Sequence, residues 1–458
     1  MRRHAGAVIV ALLLLTACTS AIPGQGRVDG PPAEPTPESC PDVPVHPPED
    51  RPVIDLDFEL AEDGRSVAGS ERVRFTPDLA TDELVFRLTA NQPLSVAAGS
   101  GIDVGEVAGD DVATVDFEPA GADESTQGGL LVIGLRTALQ PGQSTEVTID
   151  FRLQLGAGTF DRFGQDAQTS WWGSGHPLLA WELGVGWRRE PLVDTLGETA
   201  SSPVAQTTLR VLAPAGRTVL MTGGAAEVGE DGAATVWESS SIAARDVSVA
   251  VGELTTAEGS VGGTRLIVGS PEGNPAELLD RAGVALTTLE QYFGEYPFDT
   301  LSIARLADYG GGIEYPAMIL LADGGEVTLT HEIAHMWFYG MVGNDQGRDP
   351  WLDESFATYA EGLVTGRSEE PGALLEDVEV GLPIGAYASS AAYFEAVYGG
   401  GSAMLALARA RAGSELFDAA LRCYVNANAW QTAVPADVEA ALQHLPAAVA
   451  VLREAGAL

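Results

Sequence analysis

From Val53 to about Gly269, apolar and polar residues alternate in short runs broken by Gly, Pro, Asp and Asn. Examples are Val53-Ile54-Asp55-Leu56-Asp57-Phe58-Glu59-Leu60, Glu83-Leu84-Val85-Phe86-Arg87-Leu88 and Thr207-Thr208-Leu209-Arg210-Val211-Leu212. A period of two sends one face of each run to a core and the other to water, which predicts an all-β domain of antiparallel sheets over residues 53–269. After Pro271 the period lengthens. Residues 274–293 repeat their apolar positions at helical spacing, and short strands are expected at 301–306 and 317–321, bracketing a loop that holds Glu314. From Val327 onward the pattern is almost wholly helical and ends in runs at 402–412, 415–426 and 435–454. Residues 270–458 thus form a mainly helical second domain, and the chain is expected to be an α+β multidomain protein.

The ends follow other rules. Arg2 and Arg3, an apolar run from Ala5 to Leu15, and Leu15-Thr16-Ala17-Cys18 make residues 1–17 an export signal similar to a bacterial lipobox. The apolar run is too short to span a bilayer, and cleavage before Cys18 would leave that cysteine to carry lipid. An ordinary signal peptide with an incidental cysteine is the competing reading. Residues 18–52 are rich in proline and poor in apolar side chains, so an extended, disordered tether is expected. With Cys18 assigned to lipid, Cys40 and Cys423 remain, and an exported chain permits them to pair.

Charge narrows the partners. The balance is 25 − 65 = −40, and every basic residue is arginine. Such a surface repels nucleic acid and anionic lipid headgroups and favours cationic peptides.

The chemistry centres on His331-Glu332-Ile333-Ala334-His335. Two histidines one helical turn apart place their imidazoles on one face, with Glu332 beside them. Glu354, at the start of a second expected helix reached through the polar loop 343–350, can supply a third ligand. Two imidazoles and one carboxylate leave a fourth tetrahedral position for water, the arrangement of a catalytic zinc, and Glu332 is placed to take the proton of that water. The bland alternative is an amphipathic helix whose histidines bond backbone carbonyls. With 6 His in 458 residues, chance rarely produces this pattern.

These segments resemble the aminopeptidase N family of gluzincin zinc metallopeptidases. HEIAHMWFYGMVG and WLDESFATYAEGL are similar to the family's pair of zinc-ligand segments, with the same separation between His335 and Glu354. Gly311-Gly312-Ile313-Glu314-Tyr315-Pro316 resembles its exopeptidase motif, and Tyr398, just before a glycine-led helix, falls where the family has its catalytic tyrosine. The resemblance implies a saddle-shaped N-terminal β domain and a thermolysin-like catalytic domain with one Zn2+. It implies that Glu314 binds the free α-amine of a peptide, that Gly311 and Gly312 admit the substrate backbone, and that Tyr398 donates to the oxyanion. Tyr393 is the alternative for that last role. Ile313, Tyr315 and Asp353 depart from the family's usual methionine and two asparagines, and Gly399-Gly400 replaces a lysine-bearing segment. Glu182 is a candidate for a further amine contact, and Glu361 for a buttress behind a ligand histidine. Larger members continue into a big helical domain beyond the point where this chain stops, so a more open cleft is expected.

The function expected from this reading is a zinc aminopeptidase, lipid-anchored on the extracytoplasmic face of the membrane, acting on peptides and needing no oligomer. The alternatives are a zinc endopeptidase or other zinc hydrolase on the same fold, and a non-catalytic peptide-binding lipoprotein.

Overall fold

The structure is a computed structural model that describes residues 40–157, 162–193, 201–307, 310–322, 325–367, 373–375 and 378–458. The expected signal segment 1–17, the lipidation site Cys18 and the first part of the tether lie outside the described residues.

The alternating runs become strands, as period-two patterning requires. Val53–Leu60 buries Ile54, Leu56, Phe58 and Leu60 and turns its acidic positions outward. It lies within a seven-stranded sheet whose order is Ala226–Asp231, Ala234–Ala244, Ala205–Pro214, Val53–Leu60, Ser66–Phe75, Thr145–Gln154 and Gly101–Ala108. One pairing departs from the antiparallel expectation: Val53–Leu60 runs parallel to Ala205–Pro214. Alternation specifies a buried face but not the direction of the neighbouring strand, so this could not be read locally. Two four-stranded sheets and a two-stranded one accompany it, and Phe58 packs edge-on against Trp172 between layers, ring centroids 5.6 Å apart.

A fifth sheet leads to the site. Its order is Thr255–Val261, Thr264–Ser270, Thr300–Arg305, Met318–Leu321 and Gly312–Tyr315. Strands before and after residue 270 hydrogen-bond to one another, so the expected boundary at 269/270 runs through a sheet. Glu314, expected in a loop, lies in the strand Gly312–Tyr315, which pairs antiparallel with Met318–Leu321 at the sheet's edge. A four-residue strand is too short for its period to register in sequence.

Helix Pro275–Phe293 starts where Asn274 accepts a hydrogen bond from the Ala276 amide at 3.2 Å, with Pro275 in the first turn. Its buried stripe (Leu278, Ala282, Ala285, Leu286, Leu289 and Phe293) shares the core of the helical domain with Trp337, Phe338 and Phe356. The terminal run 435–454 divides into Pro435–Leu442 and Pro446–Glu454, because Pro446 has no N–H to donate and clashes with a preceding helical turn.

Residues 40–52 differ from the expected disordered tether. The Val45 amide donates to the Asn426 carbonyl (3.0 Å), Asn426 Nδ2 donates to the Pro41 carbonyl (2.9 Å), and Arg51 Nε donates to the Ile242 carbonyl (2.7 Å). A proline-rich segment has few amides of its own to donate, so its placement rests chiefly on partners remote in sequence, which composition does not reveal.

Candidate active site

Helix Glu326–Ala334 carries His331 and Glu332 and ends where His335 closes its last turn. The almost wholly helical pattern expected from Val327 onward is interrupted here. Instead His335 Nδ1 donates to the Phe338 carbonyl at 3.0 Å, occupying an acceptor that a continuing helix would need. The chain then reverses through Tyr339, whose φ of 109° is unusual for a side chain of its size. With its Nδ1 so engaged, His335 turns Nε2 towards His331 Nε2, 3.0 Å away. His331 Nδ1 faces Glu361 Oε2 and Thr358 Oγ1, each at 3.5 Å, while Arg367 holds the other Glu361 oxygen. Glu361 therefore stands behind a candidate ligand histidine, the position considered for it from sequence, and both rings present Nε2 to one point.

The third donor comes from the first residue of helix Glu354–Thr365. Asp353 caps that helix by accepting from the Glu354 amide at 2.9 Å. Glu354 Oε2 lies 3.1 Å from His331 Nε2 and 3.4 Å from His335 Nε2. Zinc bonds of about 2.0–2.2 Å in a tetrahedron separate ligand atoms by about 3.3–3.5 Å, so the three donors fit that ion with little adjustment. The electrostatics agree. Burial alone would raise the Glu354 carboxyl, yet His335 and His331 hold it well below the usual carboxylate range. Burial would lower His331, but hydrogen bonds to Glu354 and Glu361 outweigh it and lift the imidazole well above its ordinary value. The carboxylates impose a demand for positive charge on this point, and a divalent cation meets it with the imidazoles neutral.

Glu332, Glu314 and His335 also bring ligand atoms within 4.8 Å of one another, and all three are buried. The strand bearing Glu314 lies directly against the metal helix: a Cβ built on Gly312 would fall 2.5 Å from Glu332 Cδ. Gly311 adopts φ 91° immediately before it. Gln346 Nε2 donates to Glu314 Oε1 and to Asp353 Oδ2, at 3.1 Å each, linking the edge strand to the start of the Glu354 helix.

Tyr398 sits in a seven-residue π-helical segment, Phe394–Gly400, of a kind that often marks functional positions. Ser355 Oγ donates to the Val397 carbonyl at 2.7 Å, fastening this segment to the Glu354 helix. The Tyr398 ring lies parallel to His331, centroids 5.7 Å apart, whereas Tyr393 is buried against Tyr387 and Phe394. The geometry thus puts Tyr398, rather than Tyr393, against His331. Glu182 is not brought into this group. Its carboxylate pairs with Arg188 and lies 3.7 Å from Arg348 Nη1.

Sequence reasoning missed Gln346 and the Phe338 carbonyl. A glutamine in a polar loop carries no spacing signal, and a backbone carbonyl carries none at all.

Residues 279–453 match the peptidase family M1 domain. Relatives include the membrane alanyl aminopeptidase of Heliothis virescens (26 % identical over 204 residues, 37 % of this chain and 20 % of that protein). Another is a probable aminopeptidase 2 of Sulfurisphaera tokodaii (25 % over 226 residues, 41 % of this chain and 29 % of that protein). The matched segments thus span less than a third of these relatives' lengths. Among solved structures, the M1 zinc metallopeptidase from Deinococcus radiodurans shares the fold, with a TM-score of 0.66 at 18 % identity over 89 % of this chain and 93 % of that one. The chain therefore carries, at residues 279–453, a peptidase family M1 domain.

Proposed function

We propose that this protein is a zinc-dependent aminopeptidase that removes N-terminal residues from peptides. The observation that carries the reading is the convergence of His331, His335 and Glu354 on one point, with the buried carboxylates of Glu332 and Glu314 at its rim. His331, His335 and Glu354 would hold the ion. Bound there, zinc supplies a Lewis acid for the scissile carbonyl and lowers the pKa of the attacking water. Glu332 takes the proton of that water and passes it to the departing amine. Glu314 pairs with the substrate's α-ammonium, which fixes the N-terminal residue against the ion and makes the cut an exopeptidase cut. Tyr398 donates its phenol hydrogen to the oxyanion that develops as water adds. The aminopeptidase names borne by the Heliothis and Sulfurisphaera relatives support this assignment.

The same proposal places the enzyme outside the cytoplasmic membrane, held by lipid on Cys18, on the strength of the Leu-Thr-Ala-Cys segment after the apolar run. Growth with radiolabelled palmitate tests it: label retained by a Cys18→Ser variant would reject the anchor.

Two measurements test the chemistry. Glu332→Gln should retain zinc while kcat on aminoacyl chromogenic substrates falls about 10²–10⁴-fold. A free peptide should be cut far faster than its N-acetylated form, with the preference collapsing in Glu314→Gln. Equal rates on both peptides would point to the endopeptidase reading, and no turnover with bound zinc to the non-catalytic one.

A further inference from the structure

The chain contains 3 cysteines, and the two within the described residues meet: the Cys423 thiol hydrogen-bonds with Cys40 although 383 positions separate them in sequence. Both carry free thiols in the structure, and both are half-buried. Their contact is supported on each side. Asn426, one turn after Cys423 on helix Ser414–Ala427, donates to the Pro41 carbonyl and accepts from the Val45 amide. A segment with so few apolar residues is thus held against that helix at the one place where both partners present sulfur.

Two other roles for the pair are weaker. A thiolate metal site needs more donors, and among the described residues neither cysteine belongs to a group able to hold an ion. A reactive nucleophile needs a depressed pKa, whereas burial, reinforced by the neighbouring Cys40 sulfur, pushes the Cys423 thiol up to about 12.

We propose that Cys40 and Cys423 are a disulfide site, oxidised by thiol–disulfide exchange with a small-molecule or protein disulfide, and that the bond clamps the N-terminal segment to the helical domain. Cys40 thiolate attacks one sulfur of the donor, forming a mixed disulfide and releasing one donor thiolate. Cys423 loses its proton as its sulfur attacks Cys40, displacing the second donor thiolate. One sulfur–sulfur bond forms and one breaks, two electrons pass to the donor, and the two protons end on the donor's thiols.

The clamp reaches towards the metal centre. Beyond helix Ser414–Ala427, the Trp430 amide donates to the Met341 carbonyl (2.7 Å) and the Gly343 amide to the Gln431 carbonyl (2.9 Å), so this region braces the turn that follows His335. The inference does not depend on the proposed activity, because it rests on the contact between the two thiols and its test reads their covalent state, not turnover.

The test is a titration of the full chain with oxidised glutathione, followed by peptide mapping without reduction. The expected product is one peptide pair joining Cys40 to Cys423, two hydrogens lighter than the free peptides. It should coincide with a rise in thermal midpoint that dithiothreitol reverses and that Cys40→Ser and Cys423→Ser each abolish. Thiols that stay titratable, two separate glutathione adducts, or a bridge from Cys18 instead would each overturn it. Should a serine variant fail to fold, the wild-type map decides the question alone.

Discussion

Gly312 and Glu332 are so close that a single added carbon on the first would fall 2.5 Å from Cδ of the second. The proposed general base is therefore packed against bare backbone of the edge strand, and its carboxylate owes part of its position to a missing side chain. Gly312→Ala should displace Glu332 by a large fraction of an ångström and lower kcat by about 10²-fold, with the zinc content unchanged. Kinetics and metal analysis on the same preparation check this, and an alanine variant of normal kcat would show that Glu332 is not held from that side.

Gln346 ties Glu314 to Asp353 through one amide nitrogen. Gln346→Leu keeps the volume approximately and removes the donor, leaving two buried carboxylates to repel one another. The expected result is a roughly 10-fold or greater rise in KM for peptides with a free amine and a smaller change for N-acetylated ones. A uniform loss on both substrates, accompanied by a lower unfolding midpoint, would assign Gln346 to folding alone.

Stripping the ion should abolish activity and also weaken the fold, since it would leave three donors and their surrounding carboxylates uncompensated. At zinc one hundredfold above its Kd, linkage contributes about 2.7 kcal/mol to stability. Calorimetry with and without chelator should show a lower midpoint in the stripped protein, restored by stoichiometric Zn2+. A midpoint indifferent to zinc would mean that the ion is not bound by the native state.

A second buried ionic group lies in the β-rich part. His176 Nδ1 is 3.3 Å from Glu71 Oε2, its Nε2 is 3.7 Å from Asp246 Oδ1, and Ser174 Oγ donates to Asp246 Oδ2 at 2.5 Å. Burial opposes the charge on His176, but the flanking carboxylates outweigh it and hold the ring protonated up to about 10. Burial also pushes the Glu71 carboxyl up, against its own ionisation. With carboxylates on both sides of the ring, the imidazolium is the state that leaves least charge uncompensated. A folded value above the unfolded 6.5 means that the stabilisation is complete below pH 6.5 and is lost as pH rises towards 10. Denaturant midpoints should fall across that window, by on the order of a few kcal/mol in free energy, and His176→Gln should flatten the decline. A wild-type profile that stays level from pH 6.5 to 10 would contradict this assignment.

Much of the site was legible because local spacing encodes it. The i,i+4 histidines, the adjacent Glu332 and the helix-opening Glu354 follow from helical periodicity, which reports direction from a helix axis without knowledge of the rest of the fold. The helical spacing over residues 274–293 likewise located its helix, and the alternation at Val53–Leu60 its buried face. What the sequence left open depends on residues distant in the chain. The parallel partner of Val53–Leu60 comes from residues 205–214, and the sheet that crosses residue 270 joins segments on both sides of the expected boundary. The orientation of the His335 ring is set by the Phe338 carbonyl beyond the helix end, and the Tyr398 ring meets His331 where a π-helical segment is fastened to the Glu354 helix. Composition likewise could not place residues 40–52, whose bonds are with Asn426 and Ile242. Sequence thus determined which groups could act and on which face of their own element they stand. Tertiary structure decided which of them meet, because hydrogen bonds and packing between remote segments have no period along the chain.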